Sequence, residues 1–214
     1  MDITRKANYC KICFTRFYPS TIREIIEGDP LICDNCISKI IKKLETRKIK
    51  GTKITFLSEY NGLLKDMLMN YKEYGDIELA PCFLYTFIGY IMIKFPFATF
   101  IPCPSSQSRI DKRGYSHLVE ILKASKLKCL DCLTKGEGIE QKNTKAVQRL
   151  ADKKIRIKEG ITKIDAKRVV LFDDVYTSGS TFFQSKEALE RVYDGKIEGL
   201  ILLDNDKTSI YKLT

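Results

Sequence analysis

VVLFDDVYTSGST, residues 169–181, is the stretch whose reading decides the fold. Val169-Val170-Leu171-Phe172 is a short, continuous apolar run, the pattern of a strand covered on both faces. Asp173 and Asp174 follow directly, and the loop from Tyr176 through Thr177, Ser178, Gly179 and Ser180 leads at Thr181 into a helix read over 181–194. That helix offers Phe182, Ala188, Leu189 and Val192 to a core, Gly195 supplies a C-terminal cap, and Leu200 to Leu203 reads as a second buried strand. Strand, loop, helix and strand in this order make a crossover unit of a parallel sheet. In such sheets ligands bind beyond the carboxyl ends of the strands. Unpaired backbone N–H groups, a helix dipole, four hydroxyls and a glycine there make a cradle for a phosphate. Two carboxylates just upstream would repel that anion if they faced it, so their natural partners are neutral hydroxyls, as on a ribose, or a divalent cation. A sugar phosphate fits both halves. The plainer alternative is a capped helix after a strand whose two aspartates are solvated.

Working outward, Tyr60 to Tyr74 has apolar residues at 63, 64, 67, 68 and 71, the spacing of an amphipathic helix, with Gly75 as its stop. A second helix is expected from Pro81 to Lys94, a strand over Phe97 to Ile101 ended by Pro102-Cys103-Pro104, and a helix over 117–127. Residues 129–164 are basic and yield no clear elements. From Leu79 to Cys103 only Lys94 is charged, but three prolines interrupt the stretch. Its longest apolar run falls short of the roughly 20 residues a bilayer needs, so no membrane span is expected. The expected fold class is α/β: a parallel sheet flanked by helices over 51–214, preceded by a small module with a basic linker over 1–50.

Composition agrees with a folded chain. Of the 214 residues, 44% are hydrophobic and 30% charged, and 12 Gly with 6 Pro exclude collagen-like and low-complexity classes. The net charge of +10 is unevenly placed: +5 over 1–50, −1 over 51–100, +9 over 101–168 and −3 over 169–214. Its densest part holds Lys39, Lys42, Lys43, Arg47, Lys48 and Lys50, with Lys53 just beyond and Glu45 the one acid between 38 and 53. Clusters of this kind attract phosphate-rich partners, single-stranded DNA among them, though a merely soluble linker helix has the same composition.

Eight cysteines are too few for a disulfide scaffold, and the first ten residues carry no apolar signal core, which predicts a cytoplasmic protein. Cys10-x2-Cys13 and Cys33-x2-Cys36, separated by nineteen residues, form the pattern of a four-thiolate structural Zn2+ site. Two redox dithiols are the alternative. Such a clip supplies folding free energy to a segment without a core of its own. Cys129-x2-Cys132 is half a site and carries no assignment; Cys82 and Cys103 read as small apolar residues. His117, the one histidine, is read as structural.

The 169–181 run resembles the phosphoribosyl pyrophosphate (PRPP) motif of type I phosphoribosyltransferases. The chain as a whole is similar to the ComF family of competence proteins, which joins a four-Cys finger to a phosphoribosyltransferase-like domain. Three further stretches share that resemblance: LMNYKEYGD (68–76), IPCP (101–104) and Arg113-Gly114-Tyr115. The resemblance implies that Asp173 and Asp174 hold the ribose hydroxyls and that Tyr176, Thr177, Ser178, Gly179, Ser180 and Thr181 hold the 5-phosphate. It implies a pyrophosphate side made by Pro102, Ser105 and Ser106 with Lys72 and Arg113, and Mg2+ bound together with PRPP. It further implies handling of single-stranded DNA during natural transformation, beside a DNA-uptake helicase and recombination-loading proteins. A catalytically active phosphoribosyltransferase acting on an unidentified nucleophile is the alternative. Ser116-His117 stand where the family has Asn-Gln, and Thr144, Gln148, Leu150 and Arg156 keep the family's order with looser spacing.

Overall fold

The structure, a computed structural model, describes residues 7–18, 30–136 and 154–206. The small N-terminal module holds two short strands, β1 (Asn8–Tyr9) and β2 (Arg16–Phe17), and the helix α1 (Asp34–Ser38). The main sheet opens with a hairpin of β3 (Glu45–Ile49) and β4 (Thr52–Glu59). Its two-residue loop is Lys50-Gly51, with φ of 46° and 79°. Two successive positive φ values give the tight turn whose twist suits a hairpin, which explains why glycine follows the lysine. The division at residue 50 therefore falls inside a hairpin, and residues 45–49 are an edge strand rather than a linker helix. Lysine at an edge strand is well tolerated because it discourages pairing with another chain.

Helix α2 (Gly62–Glu73) follows, then a 3-10 turn at Ile77–Leu79. The single helix expected over 81–94 is in fact two, α3 (Cys82–Tyr85) and α4 (Ile88–Lys94), with a 60° bend between the segment ending at Tyr85 and α4. A segment that is apolar all round has no stripe to hold one straight axis. The bend turns Phe83, Leu84, Phe87 and Ile91 all into the core. Among the described residues no single helix is long and apolar enough to cross a membrane. Strand β5 (Thr99–Pro102) starts two residues later than expected, because Pro96-Phe97 forms a turn with Phe97 at φ 56° and the Ala98 N–H donating to the Phe95 carbonyl. Pro102 is the last residue of this edge strand, where a missing N–H does no harm.

After β5 come α5 (Gln107–Arg113), α6 (His117–Ala124), the antiparallel pair β6 (Leu133–Lys135) and β7 (Ile155–Ile157), then β8 (Val169–Tyr176), α7 (Ser180–Leu189) and β9 (Ile197–Asp204). The five-stranded sheet has the order β3-β4-β9-β8-β5, with β4, β9, β8 and β5 parallel and β3 antiparallel at the edge. The chain is thus α/β, with a parallel-rich sheet flanked by helices. Strand β8 runs four residues further than its apolar core implies, because Asp173 to Tyr176 keep pairing with β9 up to Tyr176 opposite Asp204. Helix α7 stops at Leu189, short of Gly195. Thr144, Gln148 and Leu150 lie outside the described residues; Arg156 is exposed on β7.

Helix α7 lies close on the sheet because β9 carries Gly199 beneath it. A Cβ there would stand 2.6 Å from the Phe182 ring and 3.1 Å from Ile54. Gly199→Ala is expected to cost about 1–3 kcal/mol by overpacking, lowering Tm by several degrees. Phe182→Leu in the same chain should recover part of that loss, and strict additivity of the two substitutions would show that the contact is not the cause.

Candidate functional site

Strands β5 and β8 run side by side until Pro102, opposite Phe172. There the β5 chain turns away, with the Cys103 N–H donating to the Phe172 carbonyl at 2.8 Å. The next residues of β8 are Asp173 and Asp174, so both carboxylates stand at a notch where a neighbouring strand has ended. A cleft of about 870 Å3 opens over it, lined by Lys72, Cys103, Pro104, Ser105, Ser106, Arg109, Arg113, His117, Lys135, Asp173, Asp174 and Thr181 among others. Four cations there outnumber two carboxylates, so the cleft favours an anion more than its own strand suggests.

Asp174 is 7% exposed. Burial alone would push its carboxyl up, but the Lys72 ammonium and a hydrogen bond from His117 outweigh that and hold it well below the usual carboxylate range. Asp173 is pushed the other way, to about 7, by burial and by the charge of Asp174 beside it. Its Oδ1 accepts the Asp174 N–H at 3.0 Å. Adjacent carboxylates whose environments drive their protonation apart are a mark of functional sites.

His117, assigned a structural role from sequence, stands at the centre of this group. Its Nε2 lies 2.5 Å from Asp174, while its Nδ1 lies 3.2 Å from both Arg113 Nη1 and Ser105 Oγ. A guanidinium can only donate, so Nδ1 is the acceptor and the proton sits on Nε2, donated to Asp174. The ring is therefore neutral, and burial lowers its affinity for a second proton, helped by Lys72 and Arg113 and opposed by Asp174. The backbone around it is tied down too. The Tyr71 hydroxyl donates to the His117 carbonyl at 3.0 Å, and Arg113 Nε donates to the Lys72 carbonyl at 3.1 Å. The ends of α2, α5 and β8 and the start of α6 are thereby locked together. The available sequence signal was the spacing of Arg113 and His117, four residues apart around a helix-ending Gly114 at φ 81°.

Of the residues expected on the pyrophosphate side, Lys72, Ser105, Ser106 and Arg113 meet in the cleft, whereas Pro102 is buried in β5 outside its lining. Of those expected at the 5-phosphate, Thr181 lines the cleft. Thr177, Ser178, Gly179 and Ser180 form the turn into α7 beside it, with Gly179 at φ 70°. Tyr176 is 5% exposed and stands edge-on to Phe56 with centroids 5.4 Å apart, so its side chain belongs to the core. It packs so closely under Gly179 that a Cβ there would lie 2.6 Å from its hydroxyl. The six basic residues of 39–50 do not form one free track. Lys43 and Arg47 pair with Asp204 and lie partly buried, Arg47 with its guanidinium 3.8 Å above the Phe56 ring. Lys50 sits over Phe183, while Lys39, Lys42 and Lys48 are exposed.

The second site is the sulfur cluster. Cys10, Cys13, Cys33 and Cys36 bring their Sγ atoms within 4.8 Å of one another, with Cys13 and Cys33 3.6 Å apart. Tetrahedral zinc–thiolate bonds of about 2.3 Å set sulfurs roughly 3.8 Å apart, so the donors fit the ion. Three of the four are buried with no other ligand type beside them, which suits a closed structural site. Two tight turns aim the thiols: Phe14 N–H to Cys10 carbonyl at 2.8 Å, and Cys36 N–H to Cys33 carbonyl at 2.9 Å. Cys129 and Cys132 join no such cluster among the described residues, and burial pushes both thiols up to about 11.

Two outcomes follow for these sites. Purified protein should hold one zinc per chain by metal analysis; Cys33→Ser should lose it and render the N-terminal module sensitive to protease, and full retention of zinc by that variant would exclude the cluster as the site. His117→Gln keeps a donor for Asp174 and an acceptor for Arg113. A buried neutral histidine contributes stability that is present above the unfolded-state value near pH 6.5 and lost as pH falls below it. Wild type should therefore lose Tm relative to His117→Gln between pH 7 and pH 5, and parallel curves would refute the neutral assignment.

No family model matches the chain. It is 28% identical over 185 residues to the competence protein ComFC of Streptococcus pneumoniae (strain ATCC BAA-255 / R6), a match spanning 83% of this chain and 81% of that protein. It is 26% identical over 154 residues to the competence protein ComFC of Bacillus subtilis (strain 168), spanning 67% of this chain and 61% of that one. Each match covers two thirds or more of this chain, which is therefore similar over most of its length to these two competence proteins.

Proposed function

We propose that this chain is a PRPP-binding competence protein that handles single-stranded DNA during natural transformation. The observation that carries the PRPP reading is the cleft at the β5/β8 notch, where two carboxylates of opposite protonation tendency face serines and a surplus of cations. Asp173, the less encumbered of the pair, is suited to ribose hydroxyls. Asp174 is already engaged by Lys72 and His117, and serves chiefly to fix those two groups. Arg109, Arg113 and Lys135 supply positive charge for the pyrophosphate, and Ser105, Ser106 and Thr181 supply hydroxyls. Mg2+ would enter on the pyrophosphate and water rather than in a protein cage, offsetting leaving-group charge. The DNA reading is supported by the names of the two relatives and by the basic surface outside the cleft.

A second reading is a working phosphoribosyltransferase, favoured by the size of the cleft. At about 870 Å3 it lies near the top of the usual range for a small-molecule site, roughly 300–1,000 Å3, and leaves room beside one sugar phosphate. In that reaction a nucleophile attacks the anomeric carbon, pyrophosphate leaves with the bonding pair, and the nucleophile's proton passes to solvent or a base. The protein's part is to align the reactants and to stabilise the leaving anion.

Calorimetry with PRPP and Mg2+ should give a binding isotherm that Asp173→Asn weakens at least tenfold and Arg113→Met also weakens, with Tm retained. No heat and no thermal shift with wild type would refute the PRPP reading. Pyrophosphate release stimulated by a defined base or amine would establish the transferase, whereas binding without release across a broad nucleophile panel would leave the binding role.

A further inference from the structure

The end of the sheet opposite the cleft carries lysines that pair with no carboxylate among the described residues. At the N-terminal ends of the parallel strands, a hollow of about 390 Å3 is lined by Thr46, Arg47, Lys48, Lys53, Lys94, Arg168 and Glu198. Glu198, its one carboxylate, is taken by Arg168, with Nε at 2.7 Å. Lys94 donates to the Thr46 hydroxyl at 2.7 Å, an uncharged partner. Lys48 and Lys53 face each other directly across the β3–β4 hairpin, and among the described residues neither has a carboxylate within ion-pair distance. Like charges placed directly opposite on a sheet are destabilising. An edge strand needs only one lysine to discourage strand addition, so a facing pair joined by a third ammonium breaks a local rule without a gain to folding. An anion laid into the hollow supplies the gain.

Beside the same hollow, where the chain leaves α4 and turns into β5, two large apolar side chains point outward while Phe95 is buried. Phe97 is 89% exposed and Ile93 84% exposed. The turn is tied to the hollow's wall: Arg168 Nη1 donates to the Lys94 carbonyl at 2.8 Å, its guanidinium lies 5.0 Å over the Phe95 ring, and its carbonyl accepts the Thr99 N–H. Phe97 holds a positive φ that a bulky residue rarely adopts, and it reaches no core there. An ammonium cluster beside an open aromatic face is the arrangement that follows a flexible polyanion with flat bases.

We propose that this end of the sheet is a binding surface for single-stranded nucleic acid, with Lys48, Lys53 and Lys94 taking backbone phosphates and Phe97 stacking on a base. The proposal rests on the DNA-handling reading and relocates it, since Lys43 and Arg47 of the basic N-terminal stretch are consumed by Asp204. It also separates the strand from the sugar-phosphate cleft. Asp173 lies five residues along the chain from Arg168, roughly 16 Å of extended strand, so each ligand can bind while the other is present.

Fluorescence anisotropy of the full zinc-loaded chain with a labelled oligothymidylate, read across a salt series, tests this. Lys48→Gln with Lys53→Gln should weaken binding at least tenfold at low salt and lower the log–log salt slope by about 1.4, the loss of two single-strand phosphate contacts. Phe97→Ala should weaken binding roughly fivefold or more and leave the slope alone. Lys39→Gln with Lys42→Gln should leave both nearly as in wild type. The lysine pair variant should keep or raise Tm, because a repulsive pair is gone. Wild-type affinity and slope in the Lys48/Lys53 variant, or a loss confined to the Lys39/Lys42 variant, would overturn the location while leaving DNA binding intact. Absence of binding by wild type at about 50 mM salt would refute the DNA reading itself and this site with it. Oligothymidylate binding unchanged by PRPP and Mg2+ supports separate sites, and competition between them would overturn that separation.

Discussion

A carboxylate taken out of water stays charged only if cations and donors come to it, and Asp174 imposes that condition on the whole upper end of this molecule. It sits on β8, an inner strand of the sheet, at the point where β5 has ended and no backbone neighbour shields it on that side. The compensation comes from far along the chain. Lys72 arrives at the end of α2 and His117 at the start of α6, and His117 in turn takes hydrogen bonds from Arg113 and Ser105. Removing one partner leaves a buried group unpaired, a larger cost than the pair itself contributes. The geometry of the cleft is therefore enforced by folding and exists before any ligand enters, which lowers the ordering cost that a flexible site would incur on binding.

The N-terminal module solves the opposite problem. Its described part buries few large apolar side chains, chiefly Ile32 and Ile40, which is too little to hold a fold. Four thiols converging on one point supply the missing constraint. The module is then stitched to the main sheet by short-range bonds: the Lys43 N–H donates to the Leu57 carbonyl at 2.8 Å, the Ser58 hydroxyl to the Ile41 carbonyl, and Lys11 pairs with Glu78. The chain between the finger and β3 is thus not a free tether, and the finger's placement is set by β4.

The legible parts of this structure were those fixed by local pattern. The apolar run 169–172 and the acids after it placed the strand and the notch, and the cysteine spacing placed the cluster. What was missed depends on contacts between distant segments. The apolar run after Pro81 satisfied a helix everywhere, so nothing local marked the bend at Thr86-Phe87. Glu45 to Ile49 read as a charged linker because an edge strand exposes both sequence neighbours and needs little apolar signal. His117 was undervalued because a lone histidine takes its meaning from its partners, and those lie on α2, α5, β8 and the loop after β5. Tyr176 was overvalued because its position in a phosphate-loop pattern says nothing of the direction a strand residue must point. It belongs to β8, and its ring is claimed by Phe56.

Charge shows the same limit most sharply. Summed by segment, residues 169–214 are acidic at −3 and residues 1–50 basic at +5, which suggests a neutral cradle beside a basic arm. The fold redistributes both. The cleft over the acidic segment is positive because Lys72, Arg109, Arg113 and Lys135 are brought to it from three other elements. Part of the basic arm is cancelled because Lys43 and Arg47 close on Asp204, with Arg47 also near Asp206, at the end of the acidic segment. Among the described residues Lys48, Lys53 and Lys94 have no carboxylate partner, and the fold gathers them from three elements into one hollow. A net charge says how much field a chain carries, whereas the residues left without a partner once every buried acid has been served say where that field is available to a ligand.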